Sequence, residues 1–125
     1  MANLSNVKIK ILDKEIASII IDESKTYNAL SFRNLGDLIK AFKKLDNDKN
    51  IKVIIIEGAG KGFSAGHNLK EVSGLKKKAK YQKLFNLCSK LMLQIIEGKK
   101  PVIAKVHGAA FAAGCQLAAS CDLAY

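Results

Sequence analysis

Two stretches of this chain combine small residues in a way that allows chemistry with the backbone alone. KVIIIEG at 52–58 runs into the loop GAGKGFSAG at 58–66, and PVIAKVHG at 101–108 runs into GAAFAAG at 108–114. Glycine, alanine and serine leave the main chain open, so a ligand atom can approach backbone N–H groups closely. Two N–H groups aimed at one carbonyl oxygen would stabilise it as it gains negative charge, an effect of ~3–4 kcal/mol per donor. A helix opening at the second loop would add its dipole. The same residues also suit tight strand–helix connections that need small side chains for packing, and spacing alone leaves both readings open. Neither stretch fits a G-x-x-x-x-G-K-[ST] phosphate loop or a strict G-x-G-x-x-G dinucleotide turn.

Positioning such donors requires strands that carry both loops to one edge. Residues 7–12 (VKIKIL) alternate apolar and polar, 16–21 (IASIII) form a second β-rich run, and Asp13, Lys14 and Glu15 between them predict a hairpin. From Ser31, a suitable N-cap, Phe32, Leu35, Leu38, Ile39, Phe42 and Leu45 recur at helical spacing as far as the polar stretch 46–50. The apolar runs at 52–58 and 101–108 suit buried parallel strands. Between them Tyr81, Leu84, Phe85, Cys88, Leu91, Met92, Ile95 and Ile96 predict the buried stripe of a second helix, terminated by Gly98 and Pro101. The small, apolar final segment turns into a helix near 112–114. Strands alternating with helices predict an α/β fold with mostly parallel pairing and right-handed crossovers. Neighbouring parallel strands would bring both loops to the carboxyl edge, where such folds bind ligands.

Composition narrows the classes further. An apolar fraction of 49% over 125 residues supports the core of one modest domain. No apolar run approaches the ~18 residues of a membrane span. The opening MANLSNVKIKILDKE has neither an apolar signal core nor the arginine of a transit peptide, so a soluble cytoplasmic protein is expected. The formal charge of +10 comes from twenty lysines and a single arginine, Arg33. With no helix-turn-helix, zinc or aromatic-stacking signature, this argues against nucleic-acid binding. A few lysines meeting the phosphates of a nucleotide-bearing substrate is a narrower use of the charge. LKKKAK at 75–80 reads as a solvated loop or helix start. Cys88, Cys115 and Cys121 form no C-x-x-C pair and are expected as buried, reduced thiols. The last residues, DLAY, read as the start of another buried strand with nothing following to pair it, which predicts a truncated domain.

YNALS at 27–31, KGFSAGHNLKEV at 61–72 and KPVIAKVHGAAFAAGCQLAASCDLAY at 100–125 together resemble successive landmarks of the crotonase (enoyl-CoA hydratase/isomerase) family, in the right order and across nearly the whole chain. AGH-x-LKE combined with AAGCQLAASCD is closest to one subgroup of that family. The resemblance implies a crotonase-like spiral of ββα units, with residues 1–125 as the N-terminal part of a single domain. It implies an acyl-CoA or enoyl-CoA thioester as partner, with coenzyme A entering as part of the substrate and no separate cofactor or metal. It also implies an oxyanion hole of two backbone N–H groups, the first on Ala65 and the second on Ala113. Lys25, Ala29, Ser64, His67, Asn68 and Leu69 would border the adenine and pantetheine. Homotrimers or hexamers are expected, built with a C-terminal region.

The departures from the family pattern bear on the reaction. The hydratases carry Gly-Cys-Glu-Leu after the second loop, whereas here the segment is Gly114-Cys115-Gln116-Leu117. A glutamine amide can orient a water but cannot accept a proton near neutral pH. The family's second glutamate would lie beyond Tyr125. The expectation is therefore an enoyl-CoA isomerase or hydratase of fatty-acid metabolism, with a non-catalytic acyl-CoA-binding homologue as the alternative. His67 suits either acid–base work or a place at the pocket rim. Glu71, His107 and Asp122 read as structural. The related Clp-type peptidases need a serine at the start of the last helix, where Phe111-Ala112-Ala113-Gly114 has no hydroxyl.

Overall fold

The alternating run Val7–Asp13 (β2) and the β-branched run Ile16–Ile21 (β3) form the predicted antiparallel hairpin, with a bulge between Ile11 and Asp13. The computed structural model describes residues 2–4 and 6–125, with side chains from Asn6 onward. A short strand, β1 (Ala2–Leu4), pairs antiparallel with β2. On the other side β3, β4 (Val53–Gly58), β5 (Val102–Lys105) and β6 (Leu123–Ala124) run parallel. The six-stranded order follows the chain, from β1 to β6.

The parallel crossovers are helical. The first is α1 (Phe32–Asp46); the second passes through α2 (Leu69–Ser73) and α3 (Lys78–Glu97); the third is α4 (Ala113–Ser120). Ala17, Ile19, Ile21, Ile54, Ile56, Val102 and Ala104 share one face of the sheet and are buried. They join Leu35, Leu38, Phe42 and Leu45 of α1 and Leu84, Leu91 and Ile95 of α3 in one core. Burial of each large apolar side chain contributes roughly 1.5–3 kcal/mol. Ser31 caps α1 as expected, its hydroxyl accepting from the Asn34 N–H at 3.1 Å. At the far end the Lys100 ammonium donates to the carbonyls of Leu45 and Asp48.

The expected buried stripe of α3 is too wide. Phe85 is 46% and Ile96 63% exposed, because Leu84, Cys88, Leu91, Met92 and Ile95 already fill the narrower arc that faces α1 and the sheet. The strand expected at 101–108 is shorter, since the chain leaves the ladder after Lys105. The cysteines also need correction. Cys88 is buried, but Cys121 is half-buried and Cys115 is exposed, because α4 buries Ala113, Gly114 and Leu117 instead. Burial pushes the Cys88 thiol up.

Candidate functional site

The two small-residue loops lie side by side at the carboxyl ends of β4 and β5, as the parallel order required. They continue the strand pairing as a single bridge between Ser64 and Ala110. The N–H groups of Phe63 and Ser64 donate to the Ala109 carbonyl at 2.9 and 3.2 Å, and Phe111 N–H donates to the Ser64 carbonyl at 3.0 Å. The contact is too close for larger residues. A Cβ on Gly108, which sits at φ 64°, would come within 2.2 Å of the Lys61 carbonyl oxygen, and one on Gly114 within 2.2 Å of the Ser64 oxygen. His107 reinforces the junction, its Nε2 lying 2.7 Å from the Gly60 carbonyl.

A third segment braces the first loop. Asn28 is 1% exposed and takes a left-handed φ of 55°, a conformation that asparagine tolerates better than most residues. Its Nδ2 donates to the carbonyls of Ala59, Gly62 and Phe63 at 2.8, 3.0 and 3.2 Å, and its Oδ1 accepts from Glu23 N–H at 2.8 Å. The buried Ser64 hydroxyl donates to the Asn28 carbonyl, and Leu30 N–H donates to the Gly66 carbonyl at 2.7 Å. Further along, Glu71 accepts from Phe32 N–H at 2.9 Å, which places a carboxylate at the start of α1. Asp122 likewise accepts from Val102 N–H at 2.8 Å. Both acids are structural, as expected.

This bracing engages the N–H expected as a donor at Ala65. Its N–H already donates to the Tyr27 carbonyl at 3.0 Å, and Gly66 N–H is taken by the Ser64 hydroxyl at 3.2 Å. The next N–H along the loop, on His67, has no acceptor among the described residues, and neither does that of Ala113. Gly66, at φ 92°, directly precedes His67, and a Cβ there would lie 3.2 Å from the Ala113 nitrogen. The His67 ring is fixed by Nδ1 at 3.1 Å from the Leu30 carbonyl and by an edge contact with Phe85, ring centroids 5.5 Å apart. A carbonyl only accepts, so Nδ1 carries the proton and Nε2 keeps a lone pair in the neutral ring.

Of the remaining expected residues, Lys25, His67, Asn68 and Leu69 line one cleft with Tyr27 and Lys70. A second cleft, lined by Gly60 and Lys61, shares Lys25 and Tyr27 with the first, so the two adjoin, and Lys61, Lys25 and Lys70 are among their lining residues. Ala29 and Ser64 line neither cleft and are buried, 2% and 1% exposed. Gln116 is exposed in the first turn of α4.

The model of the enoyl-CoA hydratase/isomerase family matches residues 12–125. The chain belongs to this family. Its relatives include enoyl-CoA hydratase domain-containing protein 3, mitochondrial, of Xenopus laevis, 42% identical over 98% of this chain and 42% of the relative. The crystal structure of the human protein of that name superposes with a TM-score of 0.90 at 39% identity, covering 96% of this chain and 47% of the other. An enoyl-CoA hydratase of Mycobacterium smegmatis superposes with a TM-score of 0.92 at 38% identity, again over 96% and 47%. The chain thus spans less than half the length of these family members, and the subgroup to which AGH-x-LKE pointed is the one named here. The crotonase fold follows from these superpositions. Within the family landmarks, sequence reasoning missed Asn28, although it stands in YNALS; a polar residue between Tyr27 and Ala29 was the available signal.

Proposed function

We propose that the protein binds an acyl-CoA or enoyl-CoA thioester, with the thioester oxygen between the N–H groups of His67 and Ala113 and the nucleotide along the adjoining lysine-lined clefts. The observation that carries this reading is that the N–H groups of His67 and Ala113, both beside Gly66, have no acceptor among the described residues. Two preorganised donors favour an oxygen that gains charge, as the thioester oxygen does when the adjacent carbon loses a proton. Double-bond isomerisation requires that enolate and a group to shuttle the proton, whereas hydration also requires an activated water. The amide of Gln116 can orient a water but not deprotonate it, which weighs against hydration; isomerisation would still need a proton-shuttling group beyond these donors. Lys61, Lys25 and Lys70 supply charge for the phosphates of coenzyme A. Assembly into trimers or hexamers belongs to the same proposal.

The test is a spectrophotometric assay of the full chain with crotonyl-CoA and a 3-enoyl-CoA, run beside calorimetric titration with a non-reacting acyl-CoA. Turnover of the 3-enoyl-CoA supports the isomerase. Gln116 favours one second reading, a binding protein without turnover. Acyl-CoA binding with neither substrate converted would establish that reading, and absence of binding would refute both.

A further inference from the structure

We infer that Tyr27 is a stacking residue for the base of the bound nucleotide, so that the site selects acyl groups carried on a nucleotide; the inference rests on the thioester reading above. Tyr27 closes the short 3-10 turn Ser24–Thr26 with φ 55° and ψ 45°. A Cβ disfavours this left-handed backbone by about five- to thirtyfold, and bulky residues are rare there. The backbone conformation has a structural use. Tyr27 N–H donates to the Ser24 carbonyl at 3.1 Å, and the Tyr27 carbonyl accepts from Ala65 N–H at 3.0 Å. The side chain has no such use. Asn28, at the same φ, is a residue that tolerates the conformation, whereas position 27 carries a large aromatic ring. That ring is 63% exposed and lies outside the hydrophobic core. Strain kept at a residue whose side chain adds nothing to the fold points to a contact outside the fold.

The position of the ring says what that contact is. Tyr27 and Lys25 line both clefts, so the ring stands where the two adjoin. His67 lines one of them, and a thioester held at His67 N–H therefore extends into space that Tyr27 borders. Lys70 lines the same cleft and Lys61 the other. None of these three lysines is paired with an acid among the described residues, where the ion pair is Lys8–Asp22. Within coenzyme A the pantetheine arm is a flexible chain with no flat face, and the phosphates call for cations. The adenine alone presents a π-surface that a tyrosine ring can cover. An exposed aromatic ring among lysines is the combination that holds single-stranded nucleotides, with the base on the ring and the phosphates on the cations. Stacking uses the face of the ring and not its hydroxyl, so it separates phenylalanine from every non-aromatic replacement.

The test compares Tyr27→Asn and Tyr27→Phe in the full chain. Asparagine tolerates left-handed φ, so the carbonyl at position 27 continues to hold Ala65 N–H and the variant folds with an equal or higher Tm. Affinities are measured by calorimetry for an acyl-CoA and for the matching acyl-phosphopantetheine, which lacks the nucleoside. Tyr27→Asn should weaken acyl-CoA binding by about five- to thirtyfold and leave acyl-phosphopantetheine binding unchanged. Tyr27→Phe should bind both as the parent does. Equal losses on the two ligands in Tyr27→Asn would show that the residue acts through the structure of the site, and would overturn the inference. So would a phenylalanine variant as weak as the asparagine variant, because the hydroxyl would then be the contact. An asparagine variant that binds acyl-CoA like the parent, or a parent that binds both ligands equally, would also overturn the inference while leaving the thioester reading standing. A parent that binds neither ligand would overturn the reading, and the inference with it.

Discussion

Replacing Asn28 should collapse the first loop, and the size and order of the losses can be worked from its contacts. The two hydrogens of Nδ2 serve three carbonyls, and Oδ1 satisfies the Glu23 N–H. Asn28→Ala removes about three net hydrogen bonds at roughly 1 kcal/mol each, and a buried acceptor left bare adds about 1–3 kcal/mol. The Phe63 carbonyl bears that cost most fully, because Phe63 is 0% exposed while Ala59 and Gly62 are nearer water. Loss of a residue that tolerates φ 55° adds a little more, so the total is about 4–6 kcal/mol. Urea denaturation of the full chain should report it as a lower midpoint at unchanged slope. Asn28→Asp is the sharper variant. It accepts positive φ as asparagine does, yet it directs an unprotonated oxygen at three carbonyls in a buried site. It should therefore lose more than Asn28→Ala. An aspartate variant more stable than the alanine variant, or an alanine variant within ~1 kcal/mol of the parent, would refute the hub role.

Glu71→Gln keeps an acceptor for Phe32 N–H but removes the charge from the start of α1, costing about 0.3–1 kcal/mol, whereas Glu71→Ala should cost about 1–2 kcal/mol; equal losses in urea denaturation would show that the hydrogen bond contributes nothing. The Cys121 thiol is pushed up to about 12 by burial and then by the charge of Asp122. Iodoacetamide at mildly alkaline pH should label the exposed Cys115 ahead of it, as peptide mass spectrometry can check. A raised folded-state pKa means that the stability is present below the ordinary value of 9.0 and is lost as pH rises from there towards about 12; Cys121→Ala should reduce the alkaline unfolding in that window. Acyl-CoA affinity should fall as salt rises, and Lys25→Ala, which removes the lysine shared by both clefts, should flatten that dependence in calorimetric titrations.

Much of the fold was legible because its core elements carry strong periodic signals. The 3.6-residue spacing of α1 and its Ser31 cap, the apolar run of β4, and the Gly98 and Pro101 stop after α3 each predicted what forms. The failures have local causes. Five-residue α2 is too short for a periodic pattern and is held instead by its cap, the Asn68 Oδ1 accepting from Lys70 and Glu71 N–H. Phe85 satisfies the helical period yet stays partly exposed, because its ring meets His67, a tertiary contact that no spacing within α3 encodes.

The site shows a different limit. Small-residue loops after two parallel strands were visible as a pattern, and the pattern correctly placed both loops at one edge. Which N–H of a loop is free, however, depends on acceptors elsewhere in the chain. Ala65 and His67 flank the same glycine, and nothing in FSAGHN distinguishes their amides. The distinction comes from the Tyr27 carbonyl, nearly forty residues earlier, which reaches Ala65 because Tyr27 and Asn28 both hold a left-handed φ of 55°. Elimination narrows a donor site of this kind: each N–H that the fold satisfies internally is removed from the candidates. Motif matching locates the loop, and the hydrogen-bond pattern of the folded chain shows that Ala65 N–H is engaged while those of His67 and Ala113 have no acceptor among the described residues.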